Sequence, residues 1–266
     1  MLRHFRQNFN QLVVLPVITL SCAVAVLRLQ LPQLKALKQG TKNATAIALQ
    51  REVQLEELHL NLLEKIPAFG FDNLLADWVF IGFLIYFGDN EARALTDYRL
   101  SPEYFEVIIG RDPKFLDAYL FLSASSSLYA GMPERSVALM LKGLESLSPQ
   151  ISPRSYYIWR YKGIDELLFL GDADSARKSF EKAAEWASTY SDPESQQVAA
   201  RSIQTAEFLS LNPNSRLAQV SAWSMVLENA VDERTRNLAI NRIEKLGGNI
   251  IVTPEGRLKI QLQPAN

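Results

Sequence analysis

Apolar positions divide this chain into helix-length segments, with one long uncharged stretch ahead of them. No residue from Phe9 to Leu27 is charged. As a helix that stretch would rise roughly 28 Å, close to the hydrocarbon thickness of a bilayer. From Ala46 to Ile66 the residues Ile47, Leu49, Val53, Leu55, Leu58, Leu62 and Ile66 approximate one helical face, and Pro67 and Gly70 close the segment. Asn73 to Phe87 is the most hydrophobic stretch outside the N-terminus. Its apolar run, Trp78 to Phe87, is too short to span a membrane and predicts a core helix. The other reading of that run is a patch that docks on a membrane or on an integral-membrane partner. Asp89 to Leu100 is polar and predicts a long loop. Ser101-Pro102-Glu103 then gives an N-cap, a first-turn proline and an early acid, so a helix is expected with Tyr104, Phe105, Ile108 and Ile109 inward.

Two helix pairs follow, from Lys114 to Pro149 and from Ser155 to about Tyr190. Three further helices are expected at 193–210, 214–229 and 232–246. From Asn249 to Leu262 the period changes. Ile250-Ile251-Val252, a Pro254-Glu255-Gly256 turn and the alternating Leu258, Ile260 and Leu262 predict a small hairpin or an extended tail.

Small residues recur within the pairs at fixed offsets. Trp78-x-x-Ile81-Gly82-x-x-Ile85 has the spacing of a first repeat helix. Ala124, Gly131, Ser136 and Gly143 mark the second pair, with Met140 at a position usually held by Phe. Trp159-x-x-x-Gly163 with Ala176, Phe180 and Ala183 marks the third. Short side chains are needed where two helices approach closely. The set resembles the tetratricopeptide-repeat (TPR) superfamily, in particular bacterial membrane-anchored members with degenerate repeats. The interval from Gly163 to Gly171 is one residue longer than the pattern, so the first helix of that pair is expected to be displaced or bulged. The resemblance implies an all-α solenoid of helical hairpins that binds peptides or proteins on its concave face. It also implies a role in assembling or recruiting a membrane protein complex. The first-helix register puts Val79, Phe83 and Tyr86, then Phe121, Ser125 and Leu128, then Arg160 or Tyr161 with Ile164, on that face.

The expected organisation is a membrane anchor or signal segment at 1–30, a basic tether at 31–50, a TPR-like solenoid at 51–248 and an extended tail or hairpin at 249–266. Retention of the first segment as a transmembrane helix competes with cleavage after Ala23-x-Ala25. Retention is favoured because cleavage would leave the apolar start Val26-Leu27. Charge sharpens the division. Every charged residue through Arg51 is basic, and all 29 acids lie from Glu52 onward. The basic N-terminal fifth suits an anionic bilayer, whereas the acidic remainder disfavours nucleic acid. Two arginines before the stretch lean toward an extracytoplasmic domain on a single-pass anchor, and the basic residues just after it pull the other way.

Candidate chemistry is sparse. His4 and His59 are the only histidines and Cys22 the only cysteine, so no metal-ligand spacing exists. Phosphate-binding and nucleophile motifs are absent. Asp165-Glu166 with Asp172 and Asp174 reads as a solvated acidic turn, and Ser123 to Ser127 as small helix contacts. The expectation is therefore a protein without catalytic residues, metal, cofactor or small-molecule substrate, whose partners are membrane-complex subunits and, through the N-terminal segment, lipid. Two alternatives stand beside it: a permanent structural subunit of an envelope or secretion complex, and an enzyme with an unrecognised carboxylate site.

Overall fold

A computed structural model describes residues 46–211, 216–228, 233–252 and 258–262, together with Ser21, Val24 and Arg28. The segments read above as anchor and tether therefore fall, but for those three positions and the residues from Ala46 on, outside the described residues. Among the described residues no helix is long and apolar enough to cross a membrane. The chain divides into two compact units, Met1–Arg51 and Glu52–Asn266. The described architecture is essentially that of the second.

The protein is mostly helical, as the periodicity predicts. The helices whose bounds are described begin with α1 (Ala46–Lys65), followed by α2 (Asp72–Gly88), α3 (Asn90–Thr96), α4 (Ser101–Arg111), α5 (Leu116–Leu122), α6 (Pro133–Leu144), α7 (Tyr156–Asp165) and α8 (Ala173–Ala187). Helices α9 (Pro193–Leu211), α10 (Arg216–Glu228) and α11 (Glu233–Lys245) complete the series. Strands β1 (Gly248–Val252) and β2 (Leu258–Leu262) close the chain as an antiparallel hairpin with Ile250 opposite Ile260.

Helix α3 replaces the expected loop between Asp89 and Leu100. Asp89 caps it by accepting from the Ala92 N–H at 3.0 Å, and Ala92, Arg93 and Thr96 are buried. The polar composition concealed this because the Thr96 hydroxyl is satisfied inside the helix, donating to the Ala92 carbonyl at 2.9 Å. Ser101 is also not a cap. It sits in the first turn after Leu100, and its hydroxyl is buried without a partner.

The core is a series of clusters, drawn mostly from elements near one another in sequence. The first joins α1, α2 and α4–α7 around Phe83 and Phe105, whose rings meet edge to face at 4.7 Å. The second links the end of α7 to α8, α9 and α10 through Ala176, Phe180, Ala206 and Leu209. In the third, Trp223, Ala239 and Ile243 are fully buried, with Ile250 and Ile260 of the hairpin against them. Arg111 ties the end of α1 to α4. It pairs with Asp72 at 3.0 Å and donates to the carbonyls of Leu63 at 2.7 Å, Glu64 at 2.9 Å and Ile66 at 2.5 Å. A guanidinium there satisfies carbonyls that the helix end leaves unpaired.

The small residues do hold close contacts. A methyl group on Gly163 would lie 3.1 Å from the Phe180 ring and 3.3 Å from the Ala176 carbonyl. Gly143 is tighter, since a methyl there would overlap Tyr119, whose ring carbon Cζ would be 2.8 Å away. Tyr119 cannot yield easily, being fully buried with its hydroxyl donating to the Pro113 carbonyl at 2.9 Å. Gly143→Ala should therefore lower stability by about 1–3 kcal/mol, the usual penalty of overpacking. Denaturant unfolding of Gly143→Ala, Tyr119→Phe and the double variant should give a strongly non-additive cycle. An unchanged midpoint in Gly143→Ala would mean the α5–α6 packing is wrong.

Candidate functional site

Two features stand out as sites: a buried pair of carboxylates between the helix pairs, and an uncovered apolar face on α1 and α2. Both depart from the sequence expectations.

The carboxylates arise where the first helices of the second and third pairs end in wide turns. Helix α5 continues as a π-helical segment, Ser123–Tyr129, and α7 as another, Glu166–Leu170. The Ala130 N–H reaches the Ser125 carbonyl at 2.9 Å, and the Gly171 N–H reaches that of Glu166, five residues back in each case. Such a turn accommodates one extra residue. It accounts for the long Gly163–Gly171 interval as a bulge, which ends at Gly171 with a left-handed φ of 70°.

The extra residue aims two neighbouring side chains in different directions. Asp165 is fully buried and accepts from Ser123 and Ser127 on the π-helical segment, both at 2.6 Å, and from Ser136 on α6 at 2.8 Å. Glu166, buried as well, pairs with Lys162 and accepts from Ser179 on α8 at 2.6 Å, while Lys162 also donates to Ser179 at 3.1 Å. The acids at 165 and 166 are thus not a solvated turn; the helical phase set by the bulge takes them inward. Of the four acids read as one cluster, Asp172 behaves locally, capping α8 by accepting from the Ser175 N–H at 2.9 Å. That bond holds its carboxyl below the usual range. Asp174 pairs with Arg177 at 3.7 Å.

Burial dominates the pKa of Asp165 and pushes it up to about 6, against the pull of its three serine donors. No atom of it meets solvent, so it can lock helices together but cannot touch a substrate. The serine run serves this lock. Ser123 and Ser127 donate to Asp165, whereas the Ser125 and Ser126 hydroxyls are buried without partners.

The residues predicted to line a groove do not come together. Val79 and Phe83 fill the first core cluster, and Tyr86 is buried with them. Its hydroxyl accepts from the Leu100 N–H at 3.2 Å, and Arg93 covers its ring at 3.9 Å. Ser125 is buried. These four therefore face no open groove, because the stripe at their register is the one α2 and α5 spend on the core. Phe121 is half-buried against Phe80 at 5.3 Å. Leu128 and Ile164 pack on the third cluster. Arg160 is bent inward to donate to Ser202 at 2.7 Å, its acidity raised by burial. Tyr161 is half-buried beside Tyr157, 6.2 Å between ring centres.

What lies open is the other side of α2. Its buried side is Ala76, Val79, Phe83 and Tyr86. Leu74, Trp78, Ile81 and Ile85 form a second apolar stripe facing water, with Trp78 70% exposed. On α1 the expected single face splits in two. Leu49 and Val53 are buried, as is Leu60 outside that face, while Ile47, Leu55, Leu58 and Leu62, with Ile66 just past the helix end, are exposed. The connection between α1 and α2, from Ile66 to Phe71, borders with Leu74, Leu75 and Trp78 a groove of about 320 Å³. Phe69 stands beside it, 86% exposed, with a left-handed φ of 51°. For an aromatic residue that conformation costs on the order of 1–3 kcal/mol. The sequence signal for this face was present in the unbroken apolar run from Trp78 to Phe87, since a helix apolar on all sides needs cover on all sides.

No protein-family model, curated protein or solved structure matches the chain.

The buried carboxylate makes a pH prediction. A carboxyl whose folded acidity lies at about 6, above its ordinary 3.8, holds its proton more tightly folded than unfolded. Its contribution to stability is therefore greatest below pH ~4 and is lost as pH rises to ~6. Relative to Asp165→Asn, the wild-type chain should lose about 1.4 kcal/mol per pH unit across that window. Urea unfolding of both proteins from pH 4 to 7 measures it. Parallel curves would mean that Asp165 titrates in the ordinary range.

Proposed function

We propose that this protein is a non-catalytic, TPR-like interaction protein, held at a membrane by its N-terminal segment and serving to recruit or assemble subunits of a membrane complex. The observation that carries the reading is the way the two helices of each pair close on one another through small residues, Gly143 against Tyr119 and Gly163 against Ala176 and Phe180. Hairpins stacked in this way add surface with each unit instead of enclosing one deep cavity, and such surfaces serve extended protein partners. The enzyme alternative is weakened by the one acid pair the fold concentrates. Asp165 and Glu166 are closed off by serines and a lysine, and general acid–base work needs contact with the reacting group. The extracytoplasmic placement and the single spanning segment belong to the same proposal.

Crosslinking the full-length chain in its native membranes, then purifying it and identifying the bound proteins, tests the reading. The expected result is a small, reproducible set of membrane-complex subunits recovered in near-stoichiometric amount. Recovery only from fully assembled complexes would turn the reading to a permanent structural subunit. Recovery no better than from membranes lacking the protein would defeat it.

A further inference from the structure

We propose that the open face of α1 and α2 is a second membrane contact, lying on the bilayer interface with the hairpin tip at Phe69 and Phe71 inserted among the lipid headgroups. The proposal rests on the reading of the chain as membrane-held and adds to it a surface of the folded unit itself.

The stripe on α2 repeats at intervals of four, three and four residues (Leu74, Trp78, Ile81, Ile85), one face of a helix, opposite the side that forms the core. On α1 the exposed Leu55, Leu58 and Leu62, continued by Ile66 just past its end, follow the same kind of spacing. By helical phase Glu57 and Glu64 fall on the other side of α1, Arg51 within the stripe, and Glu52, His59 and Lys65 at its edges. Between Ile66 and Gly88 the only charged residues are Asp72, held by Arg111, and Asp77. Phe71, Leu74, Trp78, Ile81 and Ile85 are each more than half exposed, an apolar grouping of the kind that marks a contact surface.

Three observations select lipid as the occupant. The chain that precedes α1 contains the uncharged stretch 9–27, separated from α1 only by residues 28–45. A segment of that kind holds whatever follows it at high local concentration near a bilayer surface. The face is also rich in aromatic side chains at its tip, and Trp is enriched where bilayer meets water. Finally, α2 is too short to span, so an apolar helix beside a membrane lies along the interface. The strained Phe69 backbone fits this placement because it turns the ring away from the protein, where only an outside partner can cover it.

Trp78 is a built-in reporter, since Trp223 is buried and Trp159 and Trp186 are half-buried in the core. The full-length chain is reconstituted into neutral phosphatidylcholine vesicles, and separately into vesicles of the same lipid brominated on its acyl chains, which quench indole at short range. Flotation reports whether the chain is held by the membrane; quenching reports where Trp78 sits. The expected result is flotation in both, with a fall of at least one third in fluorescence in the brominated vesicles. That fall should vanish in Trp78→Phe and shrink at least threefold in the doubly substituted Leu62→Glu, Ile81→Glu chain. Because the contact is apolar, it should also persist from 50 mM to 500 mM salt. Flotation without quenching overturns the proposal and leaves the membrane-held reading standing. In that case dimers in sedimentation that Ile81→Glu dissociates would assign the face to a second copy, and monomers to a different protein. No flotation at all removes both.

Discussion

A carboxylate sealed away from water must find its hydrogen-bond donors inside the protein, and at Asp165 that requirement organises the middle of the molecule. Its two oxygens are served by hydroxyls from three separate places, Ser123 and Ser127 on one helical segment and Ser136 on the next helix. Each of those positions must be small, because a larger side chain would push the helices apart and open the donor distances. Glu166, one residue on, repeats the arrangement in the opposite direction with Lys162 and Ser179. The second and third helix pairs are thus joined through polar contacts whose geometry leaves little freedom of register. The cost is desolvation, visible in the raised pKa of Asp165. Losing a single donor would leave charge uncompensated in a dry interior, which is far more damaging than never having buried it.

The π-helical turn is what makes this arrangement possible. An uninterrupted α-helix from Tyr156 to Leu170 would rotate Asp165 and Glu166 relative to Leu167 and Leu168 differently, and the apolar side chains would lose either the second or the third core cluster. With one extra residue admitted, Leu167 enters one cluster and Leu168 the other. Trp223 then anchors to the freed backbone by donating its indole N–H to the Leu168 carbonyl at 3.1 Å. The same widening in Ser123–Tyr129 presents Ser123 and Ser127 together on the Asp165 side. Two irregular turns, facing one another across the pair, therefore act as one device.

Element positions were largely legible in the sequence, and side-chain destinations much less so. Helix starts at Pro133, Ala173 and Pro193 follow from proline in the first turn or an aspartate cap, local chemistry that needs no tertiary context. The long Gly163–Gly171 interval even announced a bulge. What could not be read was its consequence. Counting acids at 165, 166, 172 and 174 gives a solvated turn, because a one-residue change in helical phase decides burial and composition carries no phase. Helix α3 was missed for a related reason, its polar groups being satisfied within the segment. The groove assignment failed at Val79, Phe83 and Tyr86 because α2 is apolar around its circumference. Periodicity identifies a face only where a contrasting face exists.

That absence of contrast on α2 bears on how stability is distributed. Helices α5 to α9 are held by the carboxylate lock and by two core clusters. Helix α1, in contrast, contributes Val53 and Leu60 to the core and is fixed at its end by Arg111 and near its middle by the Tyr104 hydroxyl donating to Glu56 at 2.9 Å. With so few buried contacts, α1 is expected to open at low free energy compared with the centre. The element with the weakest internal support is thus the one that carries half of the uncovered apolar face. A surface that binds this face only when α1 is in place would stabilise α1 through the binding itself, by mass action. Docking there would be coupled to local order: the middle of the chain is set by its own polar lock, and α1 would be completed by what it rested against.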